Sequence, residues 1–93
     1  MPCIAHFHGI FVHMYFRDHL PPHIHAFHGE HEVVIEIRGA SVLGGNFPPA
    51  ALTKLRRWVR LRRQMLEANW LLARMMFPLM DVPSIDEIDG PAP

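Results

Sequence analysis

The stretch Asp18-His19-Leu20-Pro21-Pro22-His23-Ile24-His25-Ala26-Phe27-His28-Gly29-Glu30-His31-Glu32-Val33-Val34-Ile35-Glu36-Ile37-Arg38 decides the fold. Pro-Pro fixes φ and prevents continued strand pairing, so 17–22 reads as a turn. From His23 the chain alternates: Ile24 and Ala26 fall on one face, His23, His25 and Phe27 on the other. Gly29-Glu30 suits a two-residue turn with glycine first. Glu32 to Arg38 alternates again, with Val33, Ile35 and Ile37 inward. That turn sets His25 opposite Val34 and His23 opposite Glu36, and every pair keeps its face. A slip of one residue would put the apolar set in water.

Working outward, Gly9 to Phe16 has the same period, with Ile10, Val12, Met14 and Phe16 inward. Pairing Tyr15 with His23 and His13 with His25 keeps the faces consistent. Gly39-Ala40 suits a turn into a short strand over Ser41–Leu43. The period changes after Gly44-Gly45-Asn46-Phe47. Pro48-Pro49 opens a helix where proline is tolerated, and Leu52, Leu55, Trp58, Val59, Met65, Leu66, Leu72 and Met76 give a broad stripe at three- and four-residue spacing. The expected helix runs from about Pro49 to Met75. At ~40 Å it outreaches the sheet, so its distal half must bend back, pack on a second subunit or project. The fold class is therefore α+β: a four-stranded antiparallel meander with one long C-terminal helix packed on one face. A single domain is expected over 1–80, followed by an acidic, proline-rich tail over 81–93, with an oligomer, most simply a dimer, burying the distal helix.

The chain has 93 residues, room for one small core, and 49% of them are apolar, which excludes a disordered chain. A single cysteine, Cys3, excludes an internal disulfide and suits a reducing compartment. No apolar run is long enough to span a bilayer, so a soluble, cytoplasmic protein without membrane association is expected. The formal net charge of zero hides a polarity. Between Pro48 and Phe77, seven Lys and Arg face Glu67 alone, a local charge of +6, while the remainder carries −6. A basic segment of this kind suits an acidic protein partner or nucleic acid, or packs against the acidic tail.

Chemistry concentrates at His23 and His25, which share a strand face. One reading is metal ligation: two imidazoles, completed by His13, His19 or Glu36, suit zinc or another divalent ion and a metal-dependent hydrolase. A second is metal-free acid/base work on RNA, with Tyr15, His23, His25 and Glu36 as the catalytic set and Arg17 and Arg38 holding phosphate. In the third, the histidines are ordinary polar-face residues. Arg56, Arg60 and Arg63 recur at i, i+4, i+7 as one stripe, either a solvated face or a grip on nucleic acid or a partner chain. No glycine-rich phosphate loop, serine elbow or Cys-x-x-Cys pair occurs.

The run Met1-Pro2, Gly9-Ile10-Phe11-Val12-His13-Met14-Tyr15-Phe16, then Asp18-His19-x-Pro21-Pro22-His23-x-His25-Ala26, with Leu66-Glu67-x-x-Trp70 on the helix, resembles the bacterial domain-of-unknown-function family 4160. The resemblance covers roughly residues 1–77. Members are small bacterial proteins, often encoded beside another small domain and suspected of forming toxin–antitoxin modules. The resemblance thus implies a toxin-like component of a two-gene module, acting on RNA or on a protein partner encoded nearby. Asp18, His19, Pro21, Pro22, His23, His25, Glu67 and Trp70 match its signature, which assigns no roles.

Overall fold

The structure is a computed structural model and describes residues 2–86. Five strands form one antiparallel meander in chain order: β1 (Cys3–Phe7), β2 (Ile10–His13), β3 (His23–His28), β4 (His31–Glu36) and β5 (Val42–Gly45). Two helices follow, α1 (Pro49–Leu61) and α2 (Arg63–Arg74). The expected α+β meander is present, with two corrections: five strands rather than four, and two shorter helices rather than one.

The additional strand is β1. Its burial does not alternate, because Ile4 and Ala5 are both buried across a register shift between Cys3 and Ala5. That irregularity hides the period-two signal. The β1–β2 hairpin turns on His8 and Gly9, both at positive φ (50° and 76°), the backbone that two-residue turns of the primed type require. The central hairpin follows the sequence pattern: His28 pairs with His31, His25 with Val34 and His23 with Glu36. His13 pairs with His25 as expected. β2, however, ends at His13, so Tyr15 lies in the connection to β3.

The inward faces of all but the last strand meet the helices. Ile10, Val12, Ile24, Val33 and Ile35 pack with Leu55, Trp58, Val59 and Leu66 in one core. The helix bends at Arg62 (φ −103°, ψ 16°), and Leu66, Trp70 and Ala73 of the distal half also join the core. Neither proline nor glycine causes the bend. The Arg62 side chain is buried, and its guanidinium donates to the carbonyls of Pro83 (3.2 Å) and Ser84 (2.6 Å).

Those bonds belong to a docked C-terminal segment. Val82 enters the core and its amide donates to the Ile4 carbonyl (2.8 Å), occupying part of the exposed edge of β1. The buried Trp58 indole donates to the Pro83 carbonyl (2.8 Å), and Asn69 brackets Met80 with two 2.9 Å bonds. The packed chain thus continues past residue 80, where the tail was expected to begin. The acidic residues Glu87 and Asp89 of that tail, and Met1, lie outside the described residues. Among the described residues, no helix is long and apolar enough to cross a membrane.

Candidate metal centre

The turn before β3 and the first half of β3 bring three donors together. Oδ2 of Asp18 lies 3.0 Å from Nε2 of His23 and 3.5 Å from Nε2 of His25. One ligand atom from each of Asp18, His23 and His25 can be chosen so that all lie within 4.8 Å of one another. Alternation puts both imidazoles on one face of β3, their ring centroids 5.1 Å apart. The Pro21-Pro22 turn then folds Asp18 back over them, and the Asp18 carboxylate accepts the His19 amide (2.8 Å).

The hydrogen-bond partners decide how the rings are oriented. His23 Nδ1 lies 2.7 Å from the Pro21 carbonyl, which only accepts, so Nδ1 carries a proton. Its Nε2 faces Asp18 Oδ2 at 3.0 Å, where a proton or a cation can bridge the two. His25 Nδ1 points to the Glu32 carboxylate at 3.5 Å, which turns Nε2 of His25 toward Asp18 as well. That Nε2 is buried and makes no hydrogen bond among the described residues. Each ring is thus held through Nδ1 by an oxygen, while both Nε2 atoms face one carboxylate oxygen. This is the outer-shell arrangement that orients metal-bound histidines.

Burial stiffens the group. His23 is 2% exposed, with the Trp70 indole 5.2 Å away. The side chains of His25 and Asp18 are 19% and 18% exposed. Burial of Asp18 raises its pKa, but the His19 amide and the facing imidazoles outweigh that, and the carboxyl ends below its ordinary value. The Tyr15 ring meets His25 edge-on at 4.5 Å. Burial, then the charges of Glu32 and Asp18, push its phenol upward, so the hydroxyl stays protonated. His13 is pushed down, chiefly by burial, and packs against Phe27 at 5.1 Å.

Not every expected residue joins the group. Glu36 pairs with His23 in the backbone register, yet its carboxylate accepts from Ser41 Oγ (3.2 Å). It lines a separate cleft of about 440 Å³ with Leu20, Pro21, Pro22, Arg38 and Glu67. The carboxylate at the histidines is Asp18, and neither His13 nor Glu36 takes the third place. His19 stands at the rim, its side chain 84% exposed and its Nε2 3.7 Å from Asp18 Oδ1. Arg17 is exposed, at φ 54°, and gives its amide to the Ala73 carbonyl (3.3 Å). The arginine stripe is divided by its packing. Arg56 donates to the Ala40 carbonyl (2.8 Å), whereas Arg60 and Arg63 line one surface hollow of about 620 Å³.

Asp18, Glu32 and Trp70 are the site residues that strand periodicity misses. The spacing Asp-x4-His-x-His across a Pro-Pro turn is the signal for Asp18. A turn of that length returns the chain to the strand it precedes.

The family model described as "Domain of unknown function (DUF4160)" matches residues 9–71. The chain belongs to that family. The DUF4160 match takes in Asp18, His23, His25, Glu32 and Trp70 together, so the whole centre lies inside the family's own domain. No curated protein and no solved structure matches the chain.

Proposed function

We propose that this DUF4160 domain binds one divalent transition-metal ion, zinc being the natural candidate, through Asp18, His23 and His25. The observation that carries the reading is the convergence of two imidazole Nε2 atoms on one carboxylate oxygen, each ring being held from behind through Nδ1. Donors about 2.0–2.1 Å from a tetrahedral ion stand roughly 3.3 Å from one another. The 3.0 and 3.5 Å separations bracket that value. Two histidines and one carboxylate leave positions for water or substrate, the composition of catalytic rather than closed structural zinc sites. A metal-dependent hydrolase is the activity this composition supports.

Calorimetric titration with Zn(II) tests the reading. Binding should be one to one and should weaken as the pH falls, because protons compete with the ion for the same ligand atoms. Absent heat, or binding that persists in the double variant His23→Ala/His25→Ala, would end it.

The cationic surface supports a second reading, in which the chain is the toxin-like component of a two-gene module and grips RNA or an acidic protein partner. Arg57 and Arg60 are exposed on α1, and Arg60 and Arg63 share one hollow. Replacing Arg60 and Arg63 with Gln should weaken such binding and flatten its salt dependence. Unchanged affinity would assign these side chains to solvent.

A further inference from the structure

The face of the sheet that carries the histidines also carries a row of paired positions running across four strands. His13 pairs with His25, His25 with Val34, and Val34 with Gly44. Directly paired residues project to the same face, so the row ends at a position without a side chain. Beside that bare position is a hollow of about 240 Å³, lined by His19, His23, His25, Val34, Leu43 and Gly44.

The backbone does not require glycine there. Gly45, its neighbour, has φ 77°, and a Cβ on it would stand 2.2 Å from the Glu32 carbonyl oxygen. Gly44 has no left-handed φ, and a Cβ built on it meets nothing within 4 Å. A β-branched residue would suit the pleated surface better at that position. The missing side chain therefore leaves space rather than relieving strain.

We infer that this hollow is a ligand pocket floored by Gly44, taking a compact molecule with a metal-chelating oxygen head and a small, uncharged apolar body. The inference rests on the metal reading of Asp18, His23 and His25, and adds to it the class of ligand. The head follows from the His23 and His25 rings that form one wall. The apolar body follows from Val34 and Leu43 in the same lining, and its lack of charge from a lining that contains no Asp, Glu, Lys or Arg. Its size follows from a volume below the ~300 Å³ at which drug-sized pockets begin. His19 stands at the mouth, where its exposed ring can hydrogen-bond the head group.

The test uses the full chain loaded with Co(II), whose visible absorption reports changes in coordination. Acetohydroxamate and benzohydroxamate present the same head and differ in the body. Benzohydroxamate should bind about tenfold more tightly or better, because its ring is buried. Gly44→Val should erase that advantage and Gly44→Ala reduce it, with Co(II) stoichiometry unchanged in both. Equal binding of the two hydroxamates overturns the pocket, as does an advantage that survives Gly44→Val. Loss of Co(II) from both variants overturns it as well, because position 44 would then serve the fold. Failure of the unmodified chain to take up Co(II) defeats the metal reading together with the pocket. Co(II) uptake without discrimination between the probes defeats the pocket alone.

Discussion

Replacing Asp18 with Asn separates a metal centre from an ordinary ion pair. Asn keeps the shape and can still accept the His19 amide, but it removes the charge that two imidazoles face at 3.0 and 3.5 Å. Without metal, the loss is one charge-assisted hydrogen bond at a carboxylate only 18% exposed, about 1.5–3 kcal/mol. For a domain of this size each kcal/mol moves Tm by roughly 4–8 °C. With metal, the intact chain gains about 2.7 kcal/mol at a hundredfold excess over Kd. Asp18→Asn should lose most of that increment in addition to the first term. Thermal melts by circular dichroism, with Zn(II) and with EDTA, give all four values. The reasoning is refuted if Zn(II) leaves the intact chain's Tm unchanged, or if Asp18→Asn lowers Tm equally in both conditions.

The Asp18 carboxyl lies below its ordinary value in the fold. Its stabilisation is therefore complete above the unfolded value of about 3.9 and is lost as pH falls through the lower folded value. Acid melts of the metal-free protein should show that loss, and Asp18→Asn should flatten it; an identical acid limb in both proteins would contradict the assignment. Glu32→Gln leaves the donors in place but weakens the support of His25, so Zn(II) affinity should fall about 10–100-fold, with unchanged affinity in calorimetry counting against the contact. Gly45→Ala should cost more than about 1 kcal/mol in denaturant melts, because the new methyl meets the Glu32 carbonyl at positive φ, whereas Gly44→Ala should stay within ~0.5 kcal/mol. Arg62→Ala removes the donor to the Pro83 and Ser84 carbonyls and should cost about 3 kcal/mol. It should also speed proteolysis after Met80, and an unchanged cleavage pattern would show that the segment is held elsewhere.

The central hairpin was readable because its two signals agree: strict alternation and a two-residue glycine turn allow one register, and that register is the one observed. β1 was not readable, since its bulge places Ile4 and Ala5 on the buried side together. The bend at Arg62 left no trace in local propensity. The Arg62 side chain there meets backbone carbonyls twenty-one and twenty-two residues away, and the apolar stripe continues through it unchanged. At the site, the shared face of His23 and His25 followed from strand geometry alone. The identity of the carboxylate did not, because cross-strand pairing favours Glu36 while side-chain reach decides for Asp18. Ser41 already engages Glu36, and a Pro-Pro turn that carries Asp18 back over β3 is a tertiary event.

Anomalous diffraction from crystals grown with Zn(II) examines the centre itself. The account predicts one strong peak about 2.0–2.2 Å from Asp18 Oδ2, His23 Nε2 and His25 Nε2. A peak elsewhere, or no peak and a carboxylate still hydrogen-bonded directly to His23, would contradict it.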